Sequence, residues 1–62
     1  MTAMKELRKM LDEVRRWEIE GILISTEWDA RTNEKIYTCA SGREIAVFYG
    51  LDGDILDARI KR

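Results

Sequence analysis

Residues 36–60, IYTCASGREIAVFYGLDGDILDARI, hold three apolar stretches separated by the dipeptides Ser41-Gly42 and Asp52-Gly53. Each dipeptide is a two-residue hairpin signal, because the primed turns that match strand twist need a positive φ that glycine adopts without a Cβ penalty. Counting outward from Ser41-Gly42 sets Thr38 opposite Ile45 and Ile36 opposite Val47. Counting from Asp52-Gly53 sets Tyr49 opposite Leu56, Val47 opposite Ala58 and Ile45 opposite Ile60. One sheet face then gathers Ile36, Ile45, Val47, Tyr49, Leu56, Ala58 and Ile60. The other holds Lys35, Tyr37, Cys39, Glu44, Ala46, Phe48, Asp57, Arg59 and Lys61, with Glu44 opposite Lys61.

Upstream of these strands, Ile22, Ile24, Thr26 and Trp28 alternate with Leu23, Ser25 and Glu27, a strand period that Leu23 interrupts. A shift of one residue would turn Ile22, Ile24 and Trp28 outward and make Leu23 core. Residues 29–34 read as a turn. A three-residue loop at Arg31, Thr32 and Asn33 places Asn33 in the left-handed conformation that asparagine tolerates, and sets Trp28 opposite Ile36.

Before the first strand the period is helical. At about 100° per residue, Ala3, Met4, Leu7, Met10, Leu11, Val14 and Trp17 fall within an arc of roughly 140°, with the charged side chains on the other side. Thr2 is positioned as an N-cap, Glu6 lies near the positive end of the helix dipole, Arg15 and Arg16 occupy the last turn, and Gly21 follows as the residue that redirects the chain. Arg8 with Asp12, Lys9 with Glu13 and Asp12 with Arg16 are spaced as solvent-side pairs. The expected fold is a single α+β domain over residues 1–62. It has one amphipathic helix at about 3–18, packed on an antiparallel meander with strands at about 22–29, 34–40, 43–50 and 54–61, in the order 1-2-3-4.

Composition narrows the function classes. A chain of 62 residues buries only about 60% of the surface its unfolded form exposes, so its stability is thin. One cysteine and no histidine leave neither an intramolecular disulfide nor a cysteine/histidine zinc site to staple it. The lone Cys39 and the lack of a signal-peptide or membrane-length apolar run point to the cytoplasm. Net charge is −1, so no overall field marks a polyanion binder. The acidic stretch from Glu18 to Glu34 reads as solvated edge and loop.

Catalysis is disfavoured because the commonest general base is missing and Cys39 falls mid-strand, away from any group that would lower its pKa. Asp52, Asp54 and Asp57 lack the remaining ligands of a calcium loop, and no glycine-rich phosphate loop is present, so no cofactor or metal is expected. The expected contact surface is the sheet face that one helix cannot cover, with Lys35, Tyr37, Cys39, Ala46, Phe48, Arg59 and Lys61 as partner-binding residues. The leading expectation is therefore a non-enzymatic protein-binding module, a homodimer or an inhibitor of a larger partner, by analogy with small proteins of phages and mobile elements. A single-stranded nucleic-acid binder that stacks bases on Tyr37 and Phe48 is the alternative, disfavoured by Glu44 and Asp57 on the same face. A structural homo-oligomer is a third.

Overall fold

A computed structural model describes residues 3–62. Helix α1 (Met4–Glu20) packs on one face of an open sheet made of β1 (Leu23–Asp29), β2 (Glu34–Cys39), β3 (Glu44–Tyr49) and β4 (Ile55–Ile60). The strands are antiparallel, in the order β1-β2-β3-β4, so the expected α+β meander is the observed architecture.

The helix runs two residues beyond the expected end. Its N-cap position is Ala3, whose carbonyl accepts from Leu7 N–H at 2.9 Å with no side-chain cap; the expected cap, Thr2, lies outside the described residues. At the other end Gly21 takes φ 74°, and Gly21 N–H and Ile22 N–H donate to the carbonyls of Glu18 and Trp17. This pair of bonds is a Schellman motif, which satisfies two carbonyls the helix would otherwise leave unpaired. Because the helix continues to Glu20, Arg15 and Arg16 sit one turn too early, and the last turn holds no basic residue.

The core is built as the helical stripe demands. Met10 and Trp17 bury against Cys39, Ile45, Val47 and Ala58, with Leu7, Leu11, Val14, Ile22, Leu23, Tyr37 and Tyr49 packed around them. Met4 and Ala3, on the same arc but at the helix start, remain exposed, as does Ile19 near its end.

The strand register differs from expectation at β2, and the turns explain why. Cys39 N–H donates to Arg43 O and Gly42 N–H to Cys39 O, both at 2.9 Å, which encloses the three residues Ala40, Ser41 and Gly42. Gly42, at φ 92°, therefore stands in the third, left-handed position of a three-residue loop and not in a two-residue primed turn. Tyr37 pairs with Ile45, Ile36 with Ala46 and Thr38 with Glu44. This one-residue slip turns every β2 side chain to the face opposite the expected one.

The Asp52-Gly53 turn is the same device: Gly50 N–H donates to Asp54 O, Gly53 N–H to Gly50 O, and Gly53 takes φ 87°. Here the extra loop residue is cancelled by a bulge. The ladder shifts between Phe48 and Tyr49, so Tyr49 pairs with Ile55, while Val47–Ala58 and Ile45–Ile60 keep the expected partners. The first turn has four residues, Ala30 to Asn33, with Asn33 at φ 56° as expected, and Trp28 pairs with Lys35 instead of Ile36. A second bulge, between Leu23 and Ser25, resolves the interrupted alternation of β1: Leu23 packs against the core while Ile24 is 64% exposed.

Candidate functional site

The slip of β2 divides the seven expected contact residues between two surfaces. Lys35, Tyr37 and Cys39 lie on the helix side, opposite Val47, Ile45 and Leu23 in the ladders, and Cys39 is buried in the core. Ala46, Phe48 and Arg59 lie on the other side, and Lys61 follows beyond β4 with its N–H on Glu44 O at 2.8 Å. Tyr37 and Phe48 therefore do not share a platform. The expectation of one uncovered face carrying both rings is corrected by the three-residue loop at Gly42.

On the face away from the helix, the dominant feature is an ion pair. Arg59 donates from Nε and Nη2 to the two carboxylate oxygens of Glu34 at 2.9 and 3.1 Å, reaching from β4 across β3 to β2. Glu34 is buried despite its place in the acidic stretch, and the guanidinium bonds, opposed by burial and aided by Thr32 and Lys61, hold its carboxyl below the ordinary range. Ala46, cross-strand partner of Arg59 and Ile36, is fully buried, and Phe48 is only marginally exposed. On this face Arg59 is engaged by Glu34, while its side chain is 60% exposed.

The helix side has an opening of a different kind. Between α1 and the β3–β4 hairpin runs a groove of about 320 Å³, with Leu11 and Val14 on the helix wall, Tyr37, Val47, Tyr49 and Ile55 on the sheet wall, and Asp12, Arg15 and Glu18 at the rim. Trp28 extends the aromatic surface toward the β1 edge, its ring centroid 6.1 Å from that of Tyr49 at a 48° tilt, and it remains 55% exposed. Between these strands Lys35 folds its ammonium over the Tyr37 ring, 5.4 Å from the centroid, a cation–π contact. Burial and a hydrogen bond with Tyr37 push the Tyr49 phenol above its ordinary pKa.

Chemically the groove offers apolar and aromatic surface with a rim of both charge signs. Among the described residues, no three His, Cys, Asp or Glu side chains converge to hold a metal. No described helix is long and apolar enough to cross a membrane. Of the expected site, Tyr37 lines this groove and Lys35 lies over its ring. By sequence Tyr49 is expected on the core face, Trp28 inward or, in the shifted register, outward, and Ile55 in the fourth strand with no face assigned; none is expected in a site. The signal that could have found them is the glycine at the third loop position, which sets the face of β2 and with it the side on which the aromatic residues gather. The chain matches no protein-family model, no curated protein and no solved structure.

Proposed function

We propose that this domain is a non-enzymatic protein-binding module, acting in the cytoplasm as a regulator or inhibitor of a larger partner whose apolar side chain it takes into the α1–β3–β4 groove. The observation that carries this reading is the convergence of Tyr37 and Tyr49 with Arg15, Leu11 and Val14 at one opening. Tryptophan, tyrosine and arginine are the residues that most often dominate protein interfaces, because they combine a large apolar area with a polar handle. The alternative of base stacking has less support, since Tyr37 and Phe48 lie on opposite faces and Arg59 is paired with Glu34.

The test is site-specific photo-crosslinking in host cells, with the probe at Ile55 in the groove or at Lys9 on the charged helix face. A discrete adduct from Ile55, absent from Lys9 and lost when Tyr49→Ser is added, is the expected result. Equal adduct patterns from both positions would remove the groove as the contact site.

A further inference from the structure

The two edges of the sheet differ in what they offer. At β4 the central residue Ala58 is 1% exposed and its N–H is taken by Asp57 Oδ1 at 2.9 Å. At β1 the edge is open, and the direction of its backbone groups follows from the ladder. Cys39 N–H bonds Arg43 O and Tyr49 N–H bonds Asn33 O, so the odd-numbered residues of β2 face β3. The even-numbered Glu34, Ile36 and Thr38 consequently face β1, where they meet Asp29, Glu27 and Ser25. Thr26 and Trp28, lying between these partners, direct their N–H and C=O groups outward from the sheet.

We propose that two copies of this chain pair their β1 strands antiparallel about a two-fold axis through Thr26, joining the two sheets into one of eight strands. This self-association uses the strand edge and does not rest on the groove reading. Only registers that match outward-facing residues form the ladder bonds, and the one centred on Thr26 sets Thr26 opposite the partner's Thr26 and brings Trp28 beside the partner's bulge at Ile24. Trp28 and Ile24 are 55% and 64% exposed in the single chain, and pairing at this edge would bring these two apolar side chains close across the axis. In the same register Glu27 faces the partner's Ser25. The register centred on Glu27 would instead oppose two carboxylates, so charge selects between them.

Beyond the strand the chosen register carries the Ala30–Asn33 loop of one copy toward the α1 end of the other, because β1 follows directly on α1. That helix end has Glu18 and Glu20 and no basic residue in its last turn, so it presents negative charge with the negative pole of the helix dipole. Arg31 is the one cation between residues 18 and 34. The second copy thus supplies the positive charge that the helix lacks.

The experiment is sedimentation equilibrium of the full chain across a dilution series, with Thr26→Pro, Ile24→Glu and two cysteine variants. The wild type is expected at twice its 7.3 kDa mass. Thr26→Pro removes an outward N–H that no internal ladder bond uses and is expected to return the mass to that of one chain with the circular dichroism unchanged. Ile24→Glu, at an exposed side chain, gives the same halving should the proline variant unfold. Thr26→Cys is expected to form a covalent dimer on oxidation, since directly opposed residues of a hydrogen-bonded pair lie about 5.5 Å apart, while Glu27→Cys does not. A single-chain mass at every concentration overturns the proposal, as does a dimer that survives Ile24→Glu and fails to crosslink through Thr26→Cys.

Discussion

Arg59 reaches across β3 to grip Glu34 with two hydrogen bonds of 2.9 and 3.1 Å, tying β4 to β2 without a shared backbone ladder. The Arg59 side chain is 60% exposed, so the attraction itself is screened, but the carboxylate it serves is buried and would be left poorly partnered without it. Arg59→Gln is expected to cost about 1 kcal/mol at neutral pH. The pH dependence has a definite sign. Glu34 is held below its ordinary value of 4.5, so its contribution is present above that pH and is lost as the pH falls through the depressed folded value. Urea midpoints of wild type and Arg59→Gln should differ most near pH 7 and converge well below 4.5.

Tyr49 titrates on the opposite side of the scale. Burial, and then its hydrogen bond with Tyr37, favour the neutral phenol and raise its pKa above 10.0. That stabilisation is complete below the unfolded value and disappears as the pH climbs through the folded one. Ultraviolet titration should show a tyrosine step above the ordinary range that Tyr49→Phe abolishes; a wild-type curve with both phenols at the ordinary value would contradict the packing of the groove.

Cys39 distinguishes the two possible faces of β2 directly. On the face away from the helix it would react readily with a thiol reagent, whereas its place in the core, 4% exposed, makes modification wait for the protein to open. Labelling in native buffer should be slow and should accelerate with urea in step with unfolding. Cys39→Ser is expected to destabilise by about 1–3 kcal/mol, because the hydroxyl would be buried among apolar neighbours.

Gly42 tests the loop geometry that sets this face. An added Cβ would meet nothing within 4 Å, so the cost of Gly42→Ala comes from φ 92° alone. A loss of about 1–2 kcal/mol with an unchanged denaturant slope is expected, and Gly42→Asn should lose less because asparagine tolerates positive φ better. Equal losses for the two variants would show that the residue does not hold that conformation.

Val47 and Phe48 are neighbours in β3 with opposite surroundings. Val47 is enclosed by the helix-side core, so Val47→Ala is expected to cost about 2 kcal/mol, while Phe48→Ser, on the other face and partly exposed, should cost less. Thermal melts of the two variants decide the order.

What was legible in the chain was what local periodicity fixes. Leu7, Met10, Leu11, Val14 and Trp17 recur at helical spacing and do line the core, and Ile45, Val47 and Ala58 sit on the face their alternation implies. β2 was not legible for the same reason that a small error there is costly. Ile36, Tyr37, Thr38 and Cys39 can each face a core, so only the loop length decides, and a two-residue turn ending in glycine differs from a three-residue one by a single position. The Glu34–Arg59 pair was hidden by the same error, because the acidic residue read as loop charge until its strand was correctly faced. The groove wall at Tyr49 and Ile55 depends on the β3–β4 bulge as well as on the turns, and bulges carry little signal of their own in a short strand.

Each of the four connections between elements turns on one residue of left-handed backbone: Gly21, Asn33, Gly42 and Gly53. Since each strand pairs with the next along the chain, no contact between strands has to wait for a distant segment to arrive. Such a topology closes short loops first and assembles rapidly, hairpin by hairpin, in the direction in which a ribosome delivers it. A side chain forced onto one of these four pivots therefore delays one closure while leaving the others to proceed, and refolding rates would record which junction was touched.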